Sequence, residues 1–250
     1  AIARPAGSKP CKFREGLGFE GSYGGGDATG WIDPHGVAGE VRPTTTLISI
    51  MHSNNEVGRL QDIKEIAAVA REAGVLMHTD AAQSCGKVPI DVRELGVDFL
   101  SIAGHKLYGP QGIGALYVRS GAALDAFHHG AGHQGGRRAG TEPVAMIVGL
   151  GAAAEAAKEH AGGNRVMKLR DRLFEGLQAA LGDGLVLLGH PTERLPNTLC
   201  VGFRGKLNSE VLAKCPDICA SMGAACHSGE AKRSATMASK GCGLAATIPS

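Results

Sequence analysis

Apolar residues in this chain form short runs separated by amphipathic or glycine-rich segments. The runs cover residues 46–51, 75–77, 97–103 and 113–118. Their length and β-branched content predict strands, and the runs at 75–77 and 97–103 are apolar enough for buried strands of a parallel sheet. Residues 63–71 have apolar positions at helical spacing, and Gly74 predicts the end of that helix. The order strand, helix, strand is a βαβ unit, so the sequence predicts an α/β fold with a mostly parallel sheet flanked by helices.

Helical patterns continue in the second half of the chain. Residues 143–158 are rich in alanine, and residues 166–174 are amphipathic. Gly162-Gly163 lies between them and predicts a break, so we place a domain boundary near residue 161. The expected units are a large domain over 1–161 and a small, incomplete α+β domain over 162–250, with a strand at 199–203.

Composition excludes several classes of protein. The chain is 43% hydrophobic and 20% charged, which is typical of a globular protein, and its net charge of +2 gives no basic surface for nucleic acid. Residues 143–154 form the most apolar long segment, and that segment is too short to span a bilayer. We therefore predict neither nucleic-acid binding nor a membrane span.

Seven cysteines without regular spacing argue against a disulfide framework and favour a reducing compartment. We expect six of them to be buried and inert. No signal peptide is visible, so the expected location is the cytoplasm. The mitochondrial matrix stays open if a preceding segment carried a transit peptide.

Two segments invite alternative interpretations. Gly24-Gly25-Gly26 resembles a phosphate-binding loop, but it lacks the flanking strand and the Lys-Ser/Thr of a P-loop, so we expect residues 1–36 to be irregular. The imidazoles of His128, His129 and His133 are possible zinc ligands, but no cysteine or carboxylate completes a known spacing. We predict no metal site.

Candidate chemistry is concentrated where two predicted strands end. Asp80 follows the run at 75–77, and Lys106 follows the run at 97–103. Ligands of parallel α/β sheets bind just outside the carboxyl ends of the strands. An ion pair would explain an acid and an amine at this edge. A pyridoxal 5'-phosphate pocket also explains them, with Lys106 bonded to the cofactor aldehyde and Asp80 facing the pyridine nitrogen.

That pocket gives roles to two neighbouring side chains. The cofactor withdraws electrons only while its ring nitrogen stays protonated, and a carboxylate beside the nitrogen favours the charged form. Gln83 is placed to hydrogen-bond the ring hydroxyl, and His105 to hold a phosphate oxygen. The ordered set of four residues, rather than any one of them, predicts the pocket.

The segment HTDAAQSCGKVPIDVRELGVDFLSIAGHKLYGPQGIGALYVR, residues 78–119, resembles the class V, fold-type I pyridoxal-phosphate enzymes. Within them it is similar to cysteine desulfurases and selenocysteine lyases, from about residue 37 to about residue 229. The resemblance implies that Asn55, in the motif NNEVG, contacts the ring hydroxyl. It also implies that Thr141 reaches the cofactor phosphate of a neighbouring subunit, and hence a homodimer.

The resemblance supplies a second chemical centre at Cys226. The pattern S-x-GAACHS, residues 221–228, resembles the loop that carries the catalytic cysteine in selenocysteine lyases and in some desulfurases. Ala103 stands where bacterial desulfurases carry a serine, and a small apolar residue there resembles the lyases. The resemblance therefore favours the lyase.

We expect an enzyme that releases selenium from L-selenocysteine to give L-alanine and passes it to an acceptor protein. The alternative is a cysteine desulfurase that forms a persulfide on Cys226 from L-cysteine. An aminotransferase would leave Cys226 without a role. An inactive fragment that only binds partners also stays open, because no arginine follows Arg233 to bind the substrate carboxylate. We expect the chain to be truncated at both ends.

Overall fold

The computed structural model of the chain describes residues 5–221. Six helices and four strands precede residue 182: α1 Pro5–Glu15, α2 Pro34–Glu40, β1 Leu47–Met51, α3 Ile63–Glu72, β2 Leu76–Asp80, α4 Val92–Leu95, β3 Phe99–Ala103, β4 Gly114–Val118, α5 Val144–His160 and α6 Asn164–Leu181. Two short strands and a helix follow: β5 Leu185–Leu187, β6 Val201–Phe203 and α7 Asn208–Ala213. Short 3₁₀ turns lie at Gly104–Lys106, His133–Gly136 and Gly182–Gly184.

The main sheet has the order β1-β2-β3-β4. Strands β1, β2 and β3 are parallel, and β4 is antiparallel to β3. Because β3 and β4 are separated by only ten residues, the chain reverses direction in a hairpin-like connection instead of a crossover. The predicted α/β class with a mostly parallel sheet flanked by helices is confirmed.

The hydrophobic core lies between one face of this sheet and α3. Ile63, Ile66, Ala67 and Ala70 of α3 are buried, and they pack with Ile48, Met77 and Leu100 of the strands. The spacing of the buried α3 residues is that of one helix face. Gly74 follows with a φ of +68°, which confirms the predicted end of the helix.

The second unit is an antiparallel pair, β5 with β6, beside α6 and α7. The predicted strand at 199–203 is confirmed as β6, and the predicted break is confirmed because α5 ends at His160 and α6 begins at Asn164. The boundary near residue 161 stays a prediction. In residues 5–221 none of the helices is long and apolar enough to cross a membrane.

Two expectations were wrong. Residues 5–15 form a helix, α1, although residues 1–36 were expected to be irregular. The helix begins with Pro5 and has Lys12 and Arg14 in its last turn, which are favourable end residues. Cysteine burial also differs: Cys11 and Cys219 are exposed, since they lie on α1 and after α7, away from the core.

Candidate active site

The carboxyl ends of β1, β2 and β3 lie side by side. Met51 of β1 pairs with Asp80 of β2, and Asp80 pairs with Ser101 of β3. The chain stays in register just beyond, because the amide of His52 donates to the Asp80 carbonyl and the amide of Ala81 donates to the Ser101 carbonyl, at 2.9 and 3.0 Å. Residues that follow these three strands are therefore brought to one edge of the sheet.

Asp80 is the last residue of β2 and is half-buried. One carboxylate oxygen accepts a hydrogen bond from the amide of Ala82, at 2.9 Å. That contact begins a tight turn, in which the amides of Ser84 and Cys85 donate to the Ala81 carbonyl. The turn places Gln83, also half-buried, directly after the carboxylate.

The turn after β1 separates the roles of two neighbouring asparagines. The side chain of Asn54 is buried, and its Oδ1 accepts hydrogen bonds from the amides of Glu56 and Val57, both at 2.9 Å. Asn54 is thus the residue that shapes the turn. Asn55 remains half-exposed, as a ligand-binding residue requires.

His105 and Lys106 lie in the 3₁₀ turn that follows β3. His105 is exposed, Lys106 is half-buried, and Gly104 before them is buried. A Cβ atom at Gly104 would lie 2.9 Å from the Ile113 carbonyl oxygen, so the position requires glycine. The close approach of Gly104 to Ile113 therefore fixes the backbone just before Lys106.

Lys87 is a second lysine near this site. Its Nζ donates to the Gln83 carbonyl at 2.7 Å, and burial together with the charge of Lys106 lowers the pKa of Lys87. The amide of Gly162 donates to the Lys87 carbonyl, which ties the turn to the end of α5. Sequence reasoning gave Lys87 no role. Its place four residues after Gln83, in the same turn, was the available signal.

The turn that carries Asn55 is attached to the second unit. Arg194 is buried, and its Nη2 donates to the carbonyls of Val57 and Leu188, both at 3.1 Å. The amide of Leu195 donates to the Gly58 carbonyl at 2.9 Å. Sequence reasoning missed Arg194, because the sequence does not show which backbone carbonyls a side chain will reach.

The remaining predicted residues lie farther along the chain. Thr141 is exposed in the loop before α5, and in that loop the amide of Gly140 donates to Nδ1 of His133 at 3.3 Å. Cys226 lies outside the described residues. Within residues 5–221, no group of three or more histidine, cysteine, aspartate or glutamate side chains is placed to hold a metal ion.

The donor set suits pyridoxal phosphate. An amine, a carboxylate, two carboxamides and an imidazole follow three adjacent parallel strands, and Lys106, Asp80, Gln83 and Asn55 are half-exposed instead of sealed in the core. These are the groups needed to bond an aldehyde, to face a ring nitrogen and to hold a hydroxyl and a phosphate. The fold and the donor set are those of the fold-type I pyridoxal-phosphate proteins.

The chain belongs to the class-V aminotransferase family, whose model matches residues 18–243. It is 46% identical over 223 residues to the cysteine desulfurase IscS of Methanosarcina thermophila, a match that covers 87% of this chain and 54% of that protein. It is 44% identical over 234 residues to a cysteine desulfurase of Gluconacetobacter diazotrophicus, covering 92% and 58%.

A solved structure, SspA in complex with cysteine, superposes with a TM-score of 0.84 at 35% identity. That match covers 98% of this chain and 68% of the other. The chain spans about half the length of the curated relatives it matches. The sequence had favoured selenocysteine lyase over cysteine desulfurase, and the names of these relatives support the desulfurase instead.

Proposed function

We propose that this chain forms part of a cysteine desulfurase that takes sulfur from L-cysteine and leaves L-alanine. The observation that carries the proposal is that Asp80 ends β2, while Asn55 and Lys106 follow the two parallel strands on either side of it. The identity of 44–46% to proteins named cysteine desulfurase supports the choice of sulfur. Selenocysteine lyase is the second candidate, and Ala103 favours it.

Pyridoxal phosphate, when bound, supplies an electron-withdrawing ring for reactions at the substrate's Cα. Lys106 would hold the cofactor covalently, and its free amine would take the Cα proton of the substrate. Asp80 keeps the ring nitrogen protonated, because a neighbouring carboxylate favours the charged form. Gln83 and Asn55 hold the ring hydroxyl, and His105 holds a phosphate oxygen.

Cys226 is the proposed sulfur acceptor. Its thiolate attacks the sulfur of the substrate, so that an S–S bond forms on Cys226 while the C–S bond breaks and its electron pair returns to the substrate carbon. The carbon is then protonated, and alanine leaves. A free cysteine has a pKa near 8.5, so the minor thiolate fraction at neutral pH is the reactive form. The persulfide sulfur then passes to an acceptor protein.

The first test concerns the lysine. In full-length protein loaded with pyridoxal phosphate, borohydride should fix the cofactor on Lys106, as peptide mass spectrometry would show, and Lys106→Ala should carry no adduct. Lys87→Ala is the matched control, since Lys87 is the second lysine near this site and its Nζ donates a hydrogen bond to the Gln83 carbonyl. The control should retain the adduct. Fixation on Lys87 in the unsubstituted protein would refute the assignment.

The second test distinguishes sulfur from selenium. Cys226→Ala should leave cofactor binding intact and abolish alanine formation from cysteine, which needs a sulfur acceptor. Selenocysteine should still react in part, because selenide is the better leaving group. Cys219→Ala is the control, because Cys219 is exposed and seven residues upstream. Full activity of Cys226→Ala on both substrates would contradict the mechanism, as would an essential Cys219.

We further propose a homodimer in which Thr141 binds the phosphate in the partner's site. The exposure of Thr141 supports this arrangement, as does the frequency of two-fold dimers. Mixing Thr141→Val subunits with Lys106→Ala subunits should restore part of the activity, since one site then receives both intact residues. If mixed dimers stay inactive, Thr141 does not act across the interface.

The cytoplasm stays the proposed location. The irregular cysteine spacing supports it, because a reducing compartment keeps such thiols free. Cell fractionation with an antibody to the full-length protein tests the proposal. Recovery with a membrane or secreted fraction would contradict it.

A further inference from the structure

A row of hydrogen-bonded side chains crosses all three parallel strands of the sheet. Nδ1 of His78, on β2, lies 2.8 Å from Oγ of Ser49, on β1. Nε2 of the same ring lies 2.9 Å from Oγ of Ser101, on β3. The row therefore joins the three strands through side chains, in addition to the backbone hydrogen bonds that already pair them.

The imidazole in this row is neutral at neutral pH. Burial lowers the pKa of His78 from its ordinary value of 6.5, while the charge of Asp80 acts in the opposite direction. A neutral imidazole has one N–H donor and one acceptor nitrogen. One serine hydroxyl therefore accepts and the other donates, so that both ring nitrogens are used and the ring is fixed in one orientation.

The row lies next to the candidate carboxylate. His78 and Asp80 are two residues apart on β2, so their side chains project from the same face of the sheet. Ser101 is the residue paired with Asp80 on β3, and Ser49 is the residue paired with His78 on β1. The two serines thus hold the strands on either side of the carboxylate.

An apolar side chain would meet the needs of the sheet alone. The backbone ladder pairs the strands whatever residue stands at position 78, and burying an imidazole costs free energy unless both nitrogens are hydrogen-bonded. What the row adds is a side-chain link between the three strands, two residues before each of them ends.

We infer that His78 is a positioning residue: bridged by Ser49 and Ser101, it holds Asp80 in line with the ring nitrogen of bound pyridoxal phosphate. The inference rests on the proposed function, because it needs a ring nitrogen for Asp80 to face. His78 thus acts on the cofactor through Asp80 and does not touch the cofactor itself.

The test compares two ligands. Full-length protein is freed of cofactor, and the dissociation constants of pyridoxal phosphate and of its analogue with carbon in place of the ring nitrogen are measured by equilibrium dialysis. His78→Phe keeps a ring of similar size but removes both hydrogen bonds. It should weaken binding of pyridoxal phosphate roughly tenfold, as expected for a displaced charged hydrogen bond, and should change analogue binding much less.

Thr79→Val is the matched control. Thr79 is the next residue of the same strand, and its buried hydroxyl donates to the Ile50 carbonyl of β1 at 2.9 Å, on the opposite face. The control also loses a hydrogen bond between β1 and β2, but it should not discriminate between the two ligands. Ser49→Ala and Ser101→Ala each remove one end of the row and should give smaller losses of the same kind, so the test does not depend on the folding of His78→Phe.

The outcomes separate the inference from the proposed function. If the His78 and serine variants weaken both ligands equally, or neither, the row is only structural and the inference is wrong. If the unsubstituted protein binds neither ligand, the proposed function fails and the inference falls with it. Selective loss of pyridoxal phosphate in the His78 and serine variants, absent in Thr79→Val, is the supporting result.

Discussion

The two faces of the main sheet use the same strands for different purposes. Toward α3 the sheet presents Ile48 and Met77, which are buried in the core. The other face carries Ser49, His78 and Asp80, which are exposed or half-buried. Side chains alternate between faces along a strand, so each short strand serves both the core and the site. A slip of one residue would exchange the faces, and the core therefore fixes the register of the site.

The largest expected effect of a substitution is on the core face. Met77→Ala should lower the free energy of unfolding by about 4 kcal/mol, because Met77 is 1% exposed and truncation leaves a cavity. Leu76→Ala, on the next residue and the other face, should cost about 1 kcal/mol, since Leu76 is only half-buried. Denaturant unfolding measures both values. Equal losses of unfolding free energy would mean that the two faces are packed equally well.

A second effect concerns a histidine at the end of β1. His52 is buried, and its Nδ1 has no hydrogen-bond partner among the described residues. Burial lowers the pKa of His52 from 6.5 to about 4. The unfolded chain thus binds a proton more readily than the folded one, so stability present above pH 6.5 is lost as the pH falls toward 4. The loss should be about 3 kcal/mol.

The free energy of unfolding between pH 7.5 and pH 4 measures this loss. In His52→Gln the acid-induced decrease should be smaller than in the unsubstituted protein by that amount. His190→Gln is the control, because it makes the same substitution at a half-exposed histidine. If both variants follow the pH dependence of the unsubstituted protein, His52 does not destabilise the folded state in acid.

The smallest effect compares two hydroxyls on opposite faces. Thr79→Val should cost about 1 kcal/mol of stability, because the hydroxyl is buried and hydrogen-bonded to β1. Ser49→Ala should cost less than about 0.5 kcal/mol, because Ser49 is exposed. Thermal unfolding in the absence of cofactor resolves the two values. A larger loss of stability for Ser49→Ala would mean that the row of Ser49, His78 and Ser101 mainly stabilises the fold, contrary to the inference.

The sequence predicted local features better than distant ones. Strands β1 to β4 and helices α3, α5 and α6 follow from periodicity and from glycines such as Gly74, because hydrophobic spacing reports which face is buried. Strand β5, Leu185–Leu187, was missed because a short apolar run that follows a helical segment does not distinguish a strand from more helix. The antiparallel direction of β4 was not foreseen, because the spacing of apolar residues does not encode strand direction.

The candidate site follows the same rule. Asp80 and Lys106 were recognisable because each closes an apolar run. Arg194 was not, because it contacts backbone carbonyls, one of them 137 residues away, and Lys87 was marked only by its place four residues after Gln83. His78 was noted only as the first letter of a motif. Its two serine partners lie 29 and 23 residues away and become visible only when the strands are paired.

The contact between the Asn55 turn and Arg194 also has a consequence for the time at which the site forms. The Val57 carbonyl and the Arg194 guanidinium are separated by 137 residues of chain. At a synthesis rate of roughly 5–20 residues per second, the arginine is made roughly 7–27 seconds after the turn it holds. The strands β1 to β4 can pair during that interval. The turn that presents Asn55 acquires its hydrogen bonds from Arg194 and Leu195 only afterwards. Cofactor binding is therefore expected to be a late event in folding.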